Sequence, residues 1–505
     1  MSSGSMRLVY SVIFTSVFLF CVSYIVMSSI YLGVGDGLGR ALIDGWRREV
    51  GYEVYDLNSW VGVLHQSLAL TLFLLVVVIT AIRMELRVFA ALFAVVIVVL
   101  TDTVPPQYLI SSAVEWDLIL FLIGSMVLAG VLRELGVFKY LAVLLVRVSG
   151  ERASLLVTLI FMFAFALAAL LGEVTSIIYV LMLIFELGRL LRVDVKPLIV
   201  MSVIATNTGS TALPVGNPIG IYLFFSAGMS MGEFIKNAFT LSIIELLLLN
   251  IALLSIWRGF MRSFSNTFSK SSGNVEAFVT SFYTHISREE LSKVRRGLAL
   301  LLVFIAAVTS NDLICHYLSN VFGLSVDPHA FLAFIPYFFT SLSASLIVPE
   351  AISDFIRRSV DWPSIIFFMT LFMLSYSLTY GGVMVKLTYA LSSIKEPALL
   401  LTTLLIGSAF LSSVLDNLSV IVSMTPLATL LSTLGLVGRE AYFALLFGGV
   451  FGGNYTPIGS TANIVAVSYS ERRKVTISWR YWLRTSSIIT SMQIVLALAW
   501  LFIVK

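Results

Sequence analysis

The sequence predicts an all-α polytopic membrane protein: about 11 transmembrane helices plus two re-entrant hairpins, in two inverted repeats with broken helices. Three observations carry this reading. The first is composition. Of 505 residues, 59% are hydrophobic and 12% are charged, and the mean hydropathy is +0.99. Soluble proteins carry about 25% charged residues, so this chain has too little polar surface to coat a 55.6 kDa globule. The second is an internal repeat. The third is a reversal of flanking charge between its two copies.

A run of about 20 apolar residues crosses the hydrocarbon core. The candidate spans are 8–34, 61–82, 88–104, 117–135, 197–228, 233–258, 297–318, 327–349, 363–380, 440–469 and 482–503. The first is too long for a signal-peptide core and lacks a convincing cleavage site, so it is read as a span. Two more apolar blocks, 153–191 and 397–433, are long enough for two passes each but are interrupted by polar clusters. The expected organisation is an N-terminal span and external loop (1–60), a first repeat (61–261), a cytoplasmic linker (262–296) and a second repeat (297–505).

The repeat rests on three landmarks in the same order. Val114-Glu-Trp-Asp117 opens a span in the first half, as Val360-Asp-Trp-Pro363 does in the second. Leu171-Gly-Glu-Val-Thr175 corresponds to Leu415-Asp-Asn-Leu-Ser419. The stretch 206–221 then aligns without gaps on 449–464, so that Gly209, Pro214 and Gly216 fall on Gly452, Pro457 and Gly459 at an offset of 243.

Charge orients each copy. Arg147, Arg152, Arg189, Arg192 and Lys196 flank the block 153–191, which places both its ends in the cytoplasm and makes it a re-entrant hairpin. Its counterpart 397–433 has only Lys395 beside Glu396 and Arg439 beside Glu440, which puts it outside. The segment 226–237 has one Glu and one Lys, whereas its counterpart carries Arg472, Arg473, Lys474, Arg480 and Arg484. The repeats are therefore inverted. Eleven crossings from a cytoplasmic N-terminus also put 262–296 and 471–481 inside.

Other classes lose ground on composition. The net charge of +4 suits basic loops on one membrane face and gives no footprint for nucleic acid. Cys21 and Cys315 lie in apolar runs, and the four histidines lack ligand spacing, so disulfide frameworks and zinc clusters are not expected. No Walker loop occurs. An enzyme would need a metal cluster or a nucleophile–base pair. None is visible, so neither catalysis nor a cofactor is expected.

Backbone that leaves helical geometry in mid-membrane must line a cavity, because lipid cannot satisfy its polar groups. The Gly/Pro motifs are such places, since proline removes a donor and glycine permits positive φ. Around them lie Thr206, Asn207, Thr208, Gly209, Ser210, Thr211 and Asn217 in the first repeat, and Gly453, Asn454, Thr456, Ser460 and Asn463 in the second. Half-helix N-termini would face an anion, and freed carbonyls a cation. The alternative, simple close packing of small residues, suits Gly448, Gly449, Gly452 and Gly453. The hairpin tips add Glu173, Thr175, Asp416, Asn417 and Ser419. A carboxyl at such depth marks a proton carrier or cation ligand, and Asp416 or Asn417 can also cap a helix. Na⁺ is expected, if anywhere, at Asp416, Asn417 and Asn454. Asp117 and Asp361 are read as interfacial. Glu245 is read as a relay or a lone interhelical hydrogen bond, Asn311-Asp312 with His316 as a structural hydrogen-bond cluster within a span, and Lys386 as snorkelling.

With Trp116-Asp117, Leu415-Asp-Asn-Leu-Ser419 leading to Thr425-Pro426, and Gly452-Gly-Asn-Tyr-Thr-Pro-Ile-Gly-Ser-Thr-Ala-Asn463 in hand, the chain resembles the ion transporter superfamily. It looks most like the group of arsenite permeases, NhaD-type sodium–proton antiporters and the P protein, with a citrate-transporter-like domain. The resemblance implies a scaffold and a mobile transport domain, often dimeric, with hairpin tips facing the broken helices to form cation and substrate sites. The first tip departs from that group: Gly172-Glu173 stands where Asp-Asn is usual. The function expected is secondary active transport of a small inorganic ion coupled to H⁺ or Na⁺, as sodium–proton antiport or arsenite-type efflux. A citrate or dicarboxylate symporter and a passive channel are the alternatives. The expected partners are the small ion substrate, the lipid bilayer and a second copy as homodimer; a cytoplasmic ATPase stays open. The expected location is the plasma membrane, with the N-terminus cytoplasmic.

Overall fold

A computed structural model describes residues 3–33, 37–50, 55–270, 272–324, 326–343 and 352–503. The far ends of the expected spans 8–34 and 327–349 fall outside them. The described residues are helical throughout, without strands. Before the first repeat come α1 (Ser3–Ser29) and α2 (Gly37–Val50), and α3 (Trp60–Ile82) opens it. They are followed by α4 (Arg87–Leu100), the short α5 (Pro106–Ser111), α6 (Trp116–Glu134) and α7 (Val137–Ser149). The first hairpin is α8 (Ala153–Leu171) and α9 (Glu173–Leu191). The first broken helix is α10 (Lys196–Ala212) and α11 (Pro218–Ser226). Next, α12 (Met231–Glu233) runs through a π-helical turn, Phe234–Phe239, into α13 (Thr240–Ser255).

The linker forms α14 (Arg258–Lys270) and α15 (Ser272–His285). The second half holds α16 (Arg288–Thr309), α17 (Asn311–Phe322), α18 (Pro328–Ser343), α19 (Ile352–Ser359), α20 (Trp362–Tyr380) and α21 (Val383–Leu391). Its hairpin is α22 (Pro397–Val414) and α23 (Asn417–Thr433), its broken helix α24 (Glu440–Gly452) and α25 (Thr461–Arg472), and its last helix α26 (Trp479–Ile503). Among the described residues, eight helices are long and apolar enough to cross a bilayer, and the bent pair α16–α17 makes a ninth.

The hairpins and breaks form for local reasons. The run α8 is uncharged along its length and stops at Gly172, whose φ of 87° suits only glycine. In the second hairpin Asp416 ends the turn by capping α23, its carboxylate accepting from Ser419 N at 3.3 Å. Leu213 turns extended before Pro214, as a residue preceding proline must. Asn217 and Ser460, equivalent in the repeats, cap the restarting helices α11 and α25.

Each hairpin's first arm packs against the broken helix of its own repeat, α8 on α10 and α22 on α24. Glycine allows the approach. A Cβ on Gly209 would lie 2.5 Å from Phe165 Cα, and one on Gly452 would lie 2.7 Å from the Ala409 carbonyl carbon. The small-residue packing and the polar breaks thus occupy opposite faces of the same segments.

Aromatic–cation contacts sort the loops by end. Arg147 sits over Tyr283 and Lys139 over Phe282 of the linker, and Arg473 over Phe185 near the end of α9. Those segments share one end of the molecule. At the other, Arg439 pairs with Glu233 at 2.5 Å, joining the loop after α11 to the start of α24. This grouping agrees with the one drawn from charge.

Three readings need correction. Lys386 does not snorkel: its side chain is buried, and Nζ donates to the Met27 carbonyl of α1 at 2.7 Å. The span 297–318 is not straight. Helix α16 begins nine residues earlier, because its amphipathic start is invisible to a hydropathy window, and bends by 71° into α17 at Ser310. The expected cluster there is not formed either. Buried Asn311 donates to Pro328 O at 3.0 Å, while His316 pairs with Asn320.

Candidate functional site

The two breaks meet at Asn207. Its Nδ2 lies 2.7 Å from Asn454 Oδ1, 3.0 Å from Ser460 Oγ and 3.0 Å from Asn463 Oδ1, so one first-repeat side chain faces three from the second. All four are buried. Around them the second break closes on itself. Asn463 Nδ2 donates to Gly453 O at 2.9 Å and Thr456 O at 2.7 Å, and Thr456 Oγ1 donates to Ser413 O in the second hairpin. The first break does likewise, Asn217 Nδ2 donating to Ser210 Oγ at 3.1 Å. Ser210 and Thr211 hydroxyls donate to the Asn207 carbonyl, fixing the last turn of α10. No Lys, Arg or His side chain takes part in this network.

The tips join the breaks. Gly172 approaches Gly216 O, and Asn417 lies against Gly453. Ser412 Oγ bridges Gly449 O, at 2.6 Å, and Asn417 Oδ1. Buried Glu173 and half-buried Asp416, one carboxyl from each repeat, lie near enough for the charge of Asp416 to act on Glu173. Asn417 Nδ2 is buried without a partner. Thr175 is half-buried in the first turn of α9 and Ser419 is buried in that of α23. The structure therefore brings the amides and hydroxyls of both breaks and the tip residues Glu173, Asp416 and Asn417 together about four helix N-termini, those of α9, α11, α23 and α25, whereas Gly209 packs on Phe165 of α8 and the Ser419 hydroxyl turns to Asp416.

Sequence reasoning missed Gln493 of α26. Its Nε2 donates to Thr208 Oγ1 at 2.9 Å and its Oε1 accepts from Asn454 Nδ2 at 3.3 Å, so it ties the two breaks from behind. Trp482 Nε1 supports Asn454 O from the same helix at 3.1 Å. A lone amide in a 25-residue apolar helix was the available signal.

Two cavities lie at opposite ends of the site. One, of about 820 Å³, is lined by Tyr179, Met182, Leu183 and Glu186 of α9, the end of α6 and the linker. The other, of about 220 Å³, is lined by Val422, Thr425, Pro426 and Thr429 of α23, by α20 and by Glu115. The α9 and α23 positions correspond to within one residue at the hairpin offset of 244 that pairs Leu171 with Leu415. The second arm of each hairpin thus lines a vestibule, and the linker-side one is the wider.

The sequence model of the citrate transporter family matches residues 73–448. The chain belongs to the citrate transporter family. Its relatives include an uncharacterized transporter of Mycobacterium tuberculosis, 28% identical over 404 residues, which cover 78% of this chain and 87% of that protein. The 46 kDa membrane protein of Mycobacterium leprae is 26% identical over 442 residues, covering 85% of this chain and 96% of that one. The human P protein is 24% identical over 436 residues, covering 72% of this chain and 51% of the P protein. The crystal structure of the YdaH transporter of Alcanivorax borkumensis, described as having an unusual topology, has the same fold. Its TM-score is 0.51 at 14% identity, covering 86% of this chain and 97% of that one. This citrate transporter family member is a secondary transporter built from membrane-spanning helices, and the resemblance to the superfamily of the P protein holds.

Proposed function

We propose that this family member exchanges Na⁺ for H⁺ across the membrane, with the cation seated between the hairpin tips. The observation that carries the reading is the pair Glu173 and Asp416, one carboxyl from each repeat within electrostatic reach of the other, beside an amide junction without basic side chains. Two carboxylates in one low-dielectric site cannot both stay charged without a cation. A proton on one of them or a Na⁺ between them satisfies the pair, and the two ligands then compete for one seat, which is the logic of exchange. Asn417 and Asn454 complete the oxygen set. The two vestibules supply the access route from either side, with the linker side taken as cytoplasmic.

A second reading, cation-coupled uptake of citrate or a dicarboxylate, is favoured by the family's description and by the convergence of four helix N-termini, which suit an anion. Purified protein in proteoliposomes separates the two. Exchange predicts uptake of radioactive sodium against its gradient under an imposed pH difference, lost in Glu173→Gln. Citrate uptake that requires sodium, with no sodium movement in its absence, would replace the first reading by the second. Arsenite accumulation in the same vesicles would replace both. Sodium that only equilibrates would mark a channel.

A further inference from the structure

Helix α13 carries one ionisable residue, Glu245, and it is completely buried. Neither carboxyl oxygen has a hydrogen-bond partner of ordinary geometry. Gln493, the residue that joins Thr208 to Asn454, lies beside the carboxyl, close enough to act on it as a weak donor. The three helices meeting here, α10, α13 and α26, all pack on one another. They contribute further buried hydroxyls without partners: Ser202 and Thr206, Ser242, and Thr490. Ser242 lies three residues from Glu245, Thr490 three from Gln493 and Ser202 four from Thr206, so each pair shares one face of its helix.

Among the described residues, no counter-charge is available. Helix α8, also packed on α13, has no titratable residue. The charges of α10 and of the π turn are Lys196, at the helix start, and exposed Lys236. Those of α14 are exposed Arg258, Arg262 and Lys270. In α26, Arg480, Tyr481 and Arg484 sit in the first turns, and even Arg484 is about 14 Å of helix from Gln493. None acts on Glu245. An ionised carboxylate in such a place is far more costly than a neutral one.

We infer that Glu245 is a second proton-binding site, a neutral carboxyl in this conformation that communicates with the Asn207–Asn454 junction through Gln493. Losing its proton leaves an unpaired anion in the packing of α10, α13 and α26. Release is therefore tied to a rearrangement that admits water or a cation to the hydroxyl seam. Gln493 carries that rearrangement to Thr208 and Asn454, one on each side of the junction. The inference builds on the exchange reading but is tested apart from it.

The direct test is infrared spectroscopy of the intact protein in lipid nanodiscs at neutral pH, in a Glu173→Gln parent so that a proton on the hairpin tip does not contribute. A neutral-carboxyl C=O band that shifts with isotope-labelled glutamate is expected in the parent, and a loss of its intensity when Glu245→Gln is added. Glu245→Asp should remove the same glutamate intensity, which covers the case in which the glutamine variant does not fold. A glutamate band undiminished in both variants, or no such band in the parent, overturns the inference whatever the protein transports. In proteoliposomes, Glu245→Gln should lower pH-driven sodium uptake by about tenfold, within the usual range of coupling between sites, with Glu245→Asp retaining it. Unchanged pH dependence in Glu245→Gln also overturns the inference. Absence of sodium movement in the wild type overturns the exchange reading alone.

Discussion

Gly209→Ala is the sharpest test of how the first hairpin seats on the broken helix. The added methyl would stand 2.5 Å from Phe165 Cα and 2.7 Å from its carbonyl carbon, where ordinary contact begins at 3.4 Å. These neighbours are backbone atoms of α8, so no rotamer change relieves the overlap. The helices must separate by about 1 Å, and overpacking of this kind costs about 1–3 kcal/mol. The same displacement exceeds the ~0.5 Å within which a binding constellation must be held. Since Asn207 lies two residues away, ion flux should fall by about tenfold or more. Gly407→Ala in α22 is the control: a methyl there would meet nothing nearer than Met424 Cε at 4.0 Å. There, replacing a helical glycine should gain up to about 1 kcal/mol. The assay is thermal unfolding in detergent paired with flux in proteoliposomes. If Gly209→Ala proves as stable and active as Gly407→Ala, the close seating of α8 on α10 is wrong.

Three further substitutions separate structure from function. Asn207→Ala removes the donor shared by Asn454, Ser460 and Asn463 and should cost about 1–3 kcal/mol of stability, read by thermal unfolding. Asp416→Ala should lose both flux and about 1 kcal/mol of helix cap, whereas Asp416→Asn keeps the cap and loses only flux. Ser287→Ala breaks the capping box with Glu290 at the start of α16 and should cost about 1 kcal/mol in the same melts with flux unchanged; a loss of flux would place the linker in the transport cycle.

The parts of the site that could be read from sequence are those with local causes. Gly172, Pro214, Pro457 and the caps Asn217 and Ser460 interrupt helices by their own chemistry, and their recurrence at one offset placed the two breaks opposite each other. Glu173 and Asp416 stood out because carboxyls are rare in apolar runs. What escaped depends on distant packing. Lys386 resembles any terminal lysine until α1 is laid over it and Met27 presents a carbonyl. Trp46 of α2 likewise donates to Thr379 O at 3.0 Å, a pairing between residues far apart in sequence. The bend at Ser310 has no proline or glycine to announce it. Gln493 was legible as an oddity, but its role needed both breaks in view.

The amide nitrogen of Asn207 offers two hydrogens, and three oxygens stand close enough to claim them. Yet no oxygen is stranded, because the Ser460 hydroxyl gives its own hydrogen to Asn463 Oδ1 at 2.6 Å and its oxygen accepts from Asn463 N at 3.2 Å. The second-repeat members thus form a closed circuit that stands without Asn207, and Asn207 plugs into it from the other half. Parting the two halves would cost the Asn207 amide its acceptors and leave the circuit intact.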